Sequence, residues 1–531
     1  MSMSLPELLE STARTRPRVT ALVYKEETLD YETLWQRVQE CARGLRGTHL
    51  ERNDRIAIYL EKRISTVVAI FGAAAAGGVF VPLNPLLKSH QVGYVLRDCN
   101  VRVLVTSTSR LEGLKGELDA CPDLRIVVVV DGRHEARTVD GVTIVSWSEL
   151  LARGELVPIM NSRIIDTDMA AILYTSGSTG MPKGVVLSHR NLVAGAQSVS
   201  TYLENAGDDR ILSILPLSFD AGLSQLTTAF CVGASVVLLN YLLPKDVVRA
   251  CEKCRITGIT GVPPLWIQLA QQDWPRGATE HIRYFANTGG HMPRTTLMRL
   301  RDLMPQAKPY LMYGLTEAFR STYLDPAEVD RRPDSIGKAI PNAEILLVRE
   351  DGSLCQPGEQ GELVHRGALV AMGYWNDPGR TAERFRPAPG RPAGLCLPEI
   401  AVWSGDVARM DEEGFLYFVG RNDDMIKTSG YRVSPTEVEE ILYSTGLVVE
   451  AAAVGVPHES LGQAIVAAVV PIDVHDFDHE VLVGQCRERL PVYMVPAHIE
   501  VLSTLPRTPN GKIDRKALAN DFSQFFISSK A

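Results

Sequence analysis

Short apolar runs alternate with amphipathic, helix-like stretches from the N-terminus to about residue 313. The apolar runs at 170–174, 235–239 and 310–313 have the length of strands, whereas residues 190–203 have helical spacing of apolar positions. This alternation predicts layered α/β units on mainly parallel sheets. Ligands of such sheets bind at the carboxyl ends of strands. Glycine-bearing loops follow three strand candidates, at 174–185, 288–290 and 313–317.

The pattern changes after about residue 340. Short strands with little helix between them predict a small antiparallel sheet or barrel. These strands are expected at 343–348, 362–365, 402–407 and 415–419. We therefore predict a large N-terminal domain, residues 1–422, whose barrel part covers about 340–422.

A third pattern, of mixed helix and strand, begins beyond residue 423. Its first helix is expected to start with Ser434 as the cap, Pro435 in the first turn and Glu437 completing a capping box. About a hundred residues suffice for a small domain. We predict a mobile α+β C-terminal domain at 423–531.

Size, charge and cysteine usage exclude several classes of function. The chain has 531 residues, 45% hydrophobic and 22% charged, with a formal net charge of −8. Without a broad basic field we expect no nucleic-acid partner and no membrane span, so any phosphate site must be local. Nine cysteines, an odd number, suit reduced thiols. The N-terminus lacks the pattern of a secretion signal, and we expect a cytoplasmic protein.

Two local patterns resemble functional sites but are better explained by a folded core. Cys251 and Cys254 form a CxxC without a second pair, which favours buried or half-buried thiols over zinc. Residues 66–83 carry no charge and reach the length of a membrane span, but Gly77 and Gly78 interrupt them. A buried helix, a glycine turn and a short strand are predicted there.

The loop at 174–185 has the composition of a polyphosphate-binding loop. Its glycines permit close approach of the backbone, its hydroxyl and amide groups donate hydrogen bonds, and Lys183 adds a mobile positive charge. It is not a Walker A loop, because Pro182 stands where that motif has glycine. The predicted phosphate-binding residues are Thr175, Ser176, Gly177, Ser178, Thr179, Gly180 and Lys183.

Five segments in a fixed order give the chain a resemblance to a known superfamily. They are YTSGSTGMPKG (174–184), YGLTE (313–317), WSGD (403–406), GRNDDMIKTSGYRV (420–433) and PRTPNGKIDRKAL (506–518). The chain resembles the adenylate-forming enzymes, which include acyl-CoA synthetases, nonribosomal peptide synthetase adenylation domains and firefly luciferase. The resemblance implies ATP-dependent activation of a carboxylate, release of pyrophosphate, and acyl transfer to a thiol. The segments 215–226 and 313–324 are also similar to ligase-like proteins of bacterial exosortase systems.

The resemblance implies a nucleotide site with ATP and Mg²⁺. Glu317 would hold the metal ion, Tyr313 would lie along the adenine, and Asp406 would accept hydrogen bonds from the ribose. Thr316 would contact phosphate, and Arg421 would donate near the ribose and phosphate. Gly289, Gly290 and Gly314 complete the implied nucleotide-binding set.

Lys512 is the residue that the resemblance assigns to the first half-reaction. A carboxylate that attacks the α-phosphate is one anion approaching another, so catalysis must supply positive charge and alignment. A lysine between the two would neutralise charge where it develops, an effect of roughly 10² to 10³ in rate.

The second half-reaction would use other residues of the C-terminal domain. The family's hinge corresponds to Asp423, about which the domain would rotate to withdraw Lys512. Gly430 would then line the channel for a pantetheine arm, and Arg432 would meet a phosphate. The co-substrate is CoA or a phosphopantetheinyl carrier protein, and the sequence leaves this choice open. Because thirteen residues follow Leu518, we expect a free-standing ligase.

The implied acid pocket suggests a small, polar substrate. Phe219, Asp220 and Ala221 align with a segment whose Asp binds the substrate's ammonium in amino-acid-activating members, so we expect an amine-bearing acid. Arg320 is expected to pair with a second acidic group. An internal Asp220–Arg320 pair, or Arg320 pointing away, is the alternative. The remaining lining is Ser224, Gly261, Ala286, Thr288, Met312 and Ser321.

Three other functions remain possible from the sequence. The first is an acyl-CoA synthetase for a short or aromatic acid without an amino group. The second is a luciferase-like oxygenase. The third, a nucleotide-binding protein that has lost catalysis, would be expected to lack Lys183, Glu317, Asp406, Arg421 and Lys512, yet all five are present.

Overall fold

A computed structural model gives the structure of most of the chain. It describes residues 4–132, 137–139, 141–155, 164–175, 182–390, 394, 396–421, 424–428, 431–458, 461–474, 477–490, 492–508 and 511–526.

Within the described residues, the first large sheet has nine strands. They are β1 (Thr20–Tyr24), β2 (Glu27–Asp30), β11 (Arg210–Ser213), β12 (Ser235–Leu238), β13 (Gly258–Gly261), β14 (Tyr284–Asn287), β15 (Lys308–Tyr313), β16 (Thr322–Leu324) and β17 (Lys338–Ala339). Their order is β17-β16-β15-β14-β13-β11-β12-β1-β2, and the six from β15 to β1 are parallel. The carboxyl ends of β11, β13, β14 and β15 therefore lie at one edge.

A second sheet of nine described strands packs beside it. Its strands are β3 (Arg55–Tyr59), β4 (Val79–Pro82), β5 (Val101–Thr106), β6 (Ile126–Val129), β7 (Arg137–Val139), β8 (Val142–Ser146), β9 (Met169–Thr175), β10 (Lys183–Ser188) and β20 (Gly373–Tyr374). Their order is β20-β10-β9-β4-β3-β5-β6-β8-β7, with β7, β10 and β20 antiparallel to their neighbours. The predicted mainly parallel α/β architecture is confirmed.

Helices cover the faces of these sheets. They are α1 (Glu7–Thr15), α2 (Tyr31–Arg46), α3 (Ile64–Ala76), α4 (Ser89–Asp98), α5 (Thr108–Leu118), α6 (Trp147–Glu155), α7 (His189–Tyr202), α8 (Asp220–Val232), α9 (Pro244–Cys254), α10 (Pro263–Ala270), α11 (Arg276–Thr279) and α12 (Arg294–Leu303). Two of them begin with caps that the sequence provides. The Asp30 side chain accepts from the Thr33 amide, and Ser188 forms a capping box with Asn191.

The uncharged stretch at 66–83 forms a buried core element. It contains most of α3 and the whole of β4, and Gly77 ends the helix in the left-handed conformation with φ 86°. The interpretation as helix, glycine turn and strand is confirmed. Among the described residues, none of the helices combines the length and apolar character needed to cross a bilayer. Cys251 is buried and Cys254 half-buried in α9, as predicted.

A small antiparallel sheet follows the large sheets. Its described strands are β18 (Ala343–Val348), β19 (Gln360–Gly367), β21 (Phe385–Pro387), β22 (Ile400–Met410) and β23 (Leu416–Arg421), and α13 (Pro378–Arg384) lies beside it. All their pairings are antiparallel, as predicted. One segment departs from the prediction: β20, within 340–422, pairs with β10 of the second large sheet.

The C-terminal part has its own sheet and core. Its elements are β24 (Ile426–Thr428), β25 (Tyr431–Val433), α14 (Pro435–Ser444), β26 (Val448–His458), β27 (Gly462–Pro471), α15 (His479–Arg489), β28 (His498–Val501) and α16 (Arg515–Asp521). Apolar side chains cluster on both faces of the β26–β27 pair. The capping box predicted for α14 is wrong, because the Ser434 hydroxyl makes no capping bond and is buried beside Gly420.

Candidate active site

The predicted site residues meet at the carboxyl edge of the first large sheet. Thr288 to Gly290 follow β14, Tyr313 ends β15, and Glu317 lies in the short 3₁₀ helix Thr316–Ala318. The first strand residue after the phosphate loop, Lys183 of β10, reaches the same place by bonding to Glu317. A cleft forms between this edge, the antiparallel sheet and the C-terminal turn that carries Lys512.

Asp406 is fixed by two partners at one side of the cleft. Tyr313 donates its hydroxyl to Asp406 Oδ2, and Arg421 Nε lies 2.9 Å from Oδ1. Burial and then the Asp406 charge raise the pKa of Tyr313, and the Asp406 charge raises that of Arg421. A carboxylate has about four acceptor sites, so this fixed Asp406 retains capacity for further donors.

Glu317 and Lys183 form the second charged centre. Lys183 Nζ lies 3.0 Å from Glu317 Oε1 and 2.7 Å from the Tyr374 hydroxyl, which is 2.6 Å from the same Glu317 oxygen. Burial alone would raise the pKa of Glu317, but the Lys183 charge and both hydrogen bonds outweigh it and lower the pKa. The result is a half-buried ionised carboxylate beside a cation. Sequence reasoning missed Tyr374, which lies outside the five matching segments.

Helix α4 holds both ends of the predicted phosphate loop. The Tyr174 hydroxyl lies 2.5 Å from Asp98 Oδ2, and the Tyr94 hydroxyl donates to the Pro182 carbonyl at 3.1 Å. The Thr175 hydroxyl is buried and has no partner among the described residues, which suits a group that meets a ligand. Five of the predicted loop residues lie outside the described residues and stay predictions: Ser176, Gly177, Ser178, Thr179 and Gly180.

The positions of Gly289 and Gly314 in the predicted nucleotide set suit glycine for different reasons. Gly289 has φ 77°, a conformation that favours glycine, and a Cβ there would meet only Val262. A Cβ on Gly314 would lie 3.1 Å from the Arg320 Cα, so this turn has little room for a side chain. Asn287, which the sequence did not indicate, donates to the Gly290 carbonyl at 2.8 Å and fixes that loop.

Asp220 and Arg320 pair with each other in the acid pocket. Arg320 Nη1 lies 2.8 Å from Asp220 Oδ2 and 3.2 Å from the Phe319 carbonyl. The Arg320 side chain is 3% exposed and that of Asp220 17%. The internal pair, left as an alternative by the sequence, is therefore the arrangement in this structure. Arg320 Nε has no partner among the described residues.

A cavity of about 10 Å³ lies beside this pair, roughly the volume of one water molecule. Of the predicted lining, Ser224, Met312 and Arg320 border it. Sequence reasoning missed several polar or aromatic neighbours, which are Gln225, Thr228, Thr260 and Tyr284. The other predicted residues do not border it. They are Phe219, Asp220, Gly261, Ala286, Thr288 and Ser321, of which Asp220 contacts the cavity's neighbour Arg320 and Ser321 bonds His365 at 3.0 Å.

Lys512 projects into the same cleft from the C-terminal part. Its pKa is lowered, first by desolvation and then by Arg421, while Asp220, Asp406 and Glu317 act in the opposite direction. Lys512 is nevertheless exposed to solvent. The predicted catalytic lysine thus lies within the electrostatic reach of the acid pocket and of both charged centres.

Helix α14 makes a charged contact within the C-terminal part and another with the large domain. Glu439 of α14 binds Arg515, three residues after Lys512, with distances of 2.6 and 2.7 Å. The next residue, Glu440, pairs with His291 Nε2 at 2.9 Å, beside the Gly289-Gly290 loop. The residues predicted for the second half-reaction are not tested, since Asp423, Gly430 and the Arg432 side chain lie outside the described residues.

Two family models match the chain. One, described as AMP-binding enzyme, matches residues 9–375, and one described as AMP-binding enzyme C-terminal domain matches residues 437–512. Gramicidin S synthase 2 of Aneurinibacillus migulanus is 30% identical over 98% of this chain, which spans 11% of that relative's length. The long-chain-fatty-acid–CoA ligase of Escherichia coli O157:H7 is 30% identical over 98% of this chain and 94% of the ligase.

Solved structures share the fold over nearly the whole chain. The o-succinylbenzoate CoA synthetase of Bacillus subtilis, solved with its acyl-adenylate intermediate, is 28% identical with a TM-score of 0.81, covering 97% of this chain and 98% of that one. The same synthetase has been solved with ATP and a magnesium ion. The ATP-bound MatB of Rhodopseudomonas palustris, 24% identical with a TM-score of 0.84, covers 99% of this chain and 100% of its own and supports the fold alone.

Proposed function

Because this chain belongs to the AMP-binding enzyme family, we propose that it activates a small, amine-bearing carboxylic acid with ATP and transfers the acyl group to a pantetheine thiol. It is an AMP-forming ligase that uses ATP and Mg²⁺. Pyrophosphate leaves in the first half-reaction and AMP in the second. The observation that carries this proposal is the meeting of Lys183, Glu317, Asp406 and Lys512 in one cleft.

The charges of the cleft suit the attack of a carboxylate on a phosphate. Lys183 enters from the large-domain side and Lys512 from the C-terminal part, so positive charge lies on both sides of a bound triphosphate. Glu317 would hold Mg²⁺, which supplies charge to the phosphate oxygens when bound. A half-buried, ionised carboxylate is a fitting ligand for this oxygen-preferring cation. Asp406 would orient the ribose, with Tyr313 and Arg421 holding the carboxylate in place.

Asp220 supports an amino group on the substrate. Oδ2 of Asp220 accepts from Arg320, and within the described part of the chain no other side chain bonds this carboxylate, so that Oδ1 is available for an ammonium group. Polar walls at Ser224 and Thr260 disfavour a long acyl chain. Arg320 retains donors, including the unpartnered Nε, for an acceptor group on the same substrate.

A short or aromatic acid without an amino group is the second candidate. The Asp220–Arg320 bond of 2.8 Å favours it, because a carboxylate already neutralised by a buried guanidinium needs no substrate cation. The two candidates differ in one measurable property, the dependence of activation on the Asp220 charge.

Acid-dependent pyrophosphate exchange over amino acids, short acids, aromatic acids and fatty acids tests this proposal. We expect exchange with amine-bearing acids, and Asp220→Asn should lower their kcat/KM at least about 10-fold more than that of any non-amine acid. Asp246→Asn is the matched control, because Asp246 occupies the first turn of α9 away from the cavity. Exchange confined to non-amine acids, or equal losses in Asp220→Asn, would replace the first candidate by the second.

The acceptor is tested separately with CoA and with a phosphopantetheinylated carrier protein. We propose a free pantetheine thiol acceptor of one of these two kinds and, since both are cytoplasmic, action in the cytoplasm. Thioester formation is the readout. Acyl-AMP accumulation with neither thiol consumed would contradict the acceptor proposal while leaving the first half-reaction intact.

A further inference from the structure

A lysine is buried between the two large sheets without an acidic partner. Lys62 follows β3 of the second sheet and is 7% exposed. Its Nζ lies 2.7 Å from the Ile214 carbonyl and 3.2 Å from the Leu215 carbonyl, both just after β11 of the first sheet. Among the described residues no carboxylate forms an ion pair with it. Burial lowers the pKa of Lys62 to about 7.

Burying such a group is costly, so its role needs a physical explanation. An apolar side chain of similar length would fill the space without the loss of hydration. What the ammonium adds is strong donation to two peptide carbonyls at once. Asn240 fixes the lysine's own backbone in turn, donating to the Lys62 carbonyl at 2.7 Å and accepting from its amide at 3.2 Å. Lys62 is thereby a rigid bridge between carboxyl ends of strands in two sheets.

The carbonyls that Lys62 holds begin the loop that leads to the acid pocket. The Leu215 amide donates to the Gln225 side chain at 3.3 Å, and Gln225 borders the cavity. A Cβ on Gly222 would lie 1.9 Å from the Pro216 carbonyl, so the first turn of α8 rests directly on this loop. Asp220 opens the same turn. A shift of the loop is therefore transmitted to Asp220 and to the pocket wall.

We propose that Lys62 is a positioning residue for the acid pocket, which fixes the Ile214 and Leu215 carbonyls and through them the start of α8 with Asp220. Lys62 touches neither acid nor nucleotide. By fixing the position of the Asp220 carboxylate, it affects which acid the pocket binds. This role rests on the proposed function, because the acid is the substrate of that reaction.

Lys62→Met tests the proposal, with Arg55→Met as the matched control. Arg55 lies at the other end of β3 and holds the Cys99 and Asn100 carbonyls at 2.7 and 2.8 Å, far from the acid pocket. We expect Lys62→Met to raise the KM for the preferred acid about 10-fold and to leave the KM for ATP unchanged. The ratio of kcat/KM between the preferred acid and the other acids of the panel should become smaller. A purely structural role would lower kcat for every acid alike, as we expect of Arg55→Met.

Hydrogen–deuterium exchange of the free proteins provides a readout without activity. Residues 214–225 should exchange faster in Lys62→Met than in the wild type, and not in Arg55→Met. Unchanged exchange there, or faster exchange with unchanged acid preference, would overturn the proposal. If the wild type activates no acid of the panel, the proposed function fails, while the exchange of residues 214–225 still decides whether Lys62 holds the loop.

Discussion

At the scale of single residues, the most informative contact is the one among Lys183, Glu317 and Tyr374. Lys183 and Tyr374 both bond Oε1 of Glu317, so a metal ion at this carboxylate would either bind Oε2 or share Oε1 with them. The tyrosine keeps the carboxylate oriented in either case. Because Tyr374 is neutral, its contribution to ATP binding can be measured separately from those of the charged Lys183 and Glu317.

Removing the Tyr374 hydroxyl should lower kcat/KM for ATP. Tyr374→Phe deletes the hydrogen bonds to Glu317 and Lys183 but keeps the ring, and we expect kcat/KM for ATP to fall about 10-fold. Pyrophosphate exchange at varied ATP measures this. Tyr417→Phe is the control, since its hydroxyl bonds Asp411 in the antiparallel sheet at 3.1 Å. Equal kinetics for the two variants would contradict a role for Tyr374.

Lys62 should give the stability of the protein a specific dependence on pH. Its pKa is about 7 in the folded protein against an ordinary value of 10.5. Between these values the unfolded chain binds a proton that the folded protein has released, so the free energy of unfolding rises with pH, by at most about 1.4 kcal/mol per unit.

Denaturant unfolding of the wild type and Lys62→Met from pH 6 to pH 10 tests this dependence. The wild type should gain stability relative to the variant above about pH 7, because the variant has no proton to lose. Parallel curves over the whole range would show that the Lys62 pKa is not lowered by folding.

At the scale of elements, the sequence predicts the charged residues of the cleft better than the residues that hold them in place. Residues of the matching segments, such as Lys183, Asp406 and Lys512, do meet in the cleft. Tyr374, Gln225 and Lys62 could not be found in this way, because their roles depend on contacts between segments far apart in the chain. The capping box of α14 failed for a related reason: the Ser434 hydroxyl is buried against Gly420 instead of the helix end.

The acid pocket shows the same limit. The family resemblance identified Asp220 and Arg320 as pocket residues but left open whether they pair. That choice depends on the geometry of two elements 100 residues apart, α8 and the turn at Phe319, which has φ 55°. The chemistry of these residues alone permits either arrangement: Asp220 binds an ammonium group of the substrate, or it pairs with Arg320 and leaves no net charge.

Helix α4 is expected to support ATP binding from outside the cleft. Tyr94→Phe removes the bond to the Pro182 carbonyl at one end of the phosphate loop, and we expect the KM for ATP to rise about fivefold with the KM for the acid unchanged. Tyr59→Phe is the control, since its hydroxyl donates to the Leu87 carbonyl at 2.8 Å away from that loop. A similar change in both variants would mean that the effect is general destabilisation.

At the scale of the whole molecule, two parts of the chain contribute opposite walls of one cleft. Lys512→Ala should lower acyl-AMP formation roughly 10² to 10³-fold, because a cation is lost where charge develops. Thioester formation from supplied acyl-AMP should remain. Lys516→Ala, an exposed lysine on α16, is the control. Full adenylation without Lys512 would remove the mechanistic basis of the proposed function.

Among the described residues, one ion pair, between His291 and Glu440, joins the C-terminal part to the large domain, and it bears on how easily the two parts separate. Its side chains are 34% and 37% exposed, and pairs so open to water contribute about 0 to 1 kcal/mol. The free energy of this contact is therefore comparable to thermal energy. Such a contact would favour one alignment of the walls and still let them part and rejoin between the two half-reactions that the sequence predicts, which a tight, dry junction would prevent.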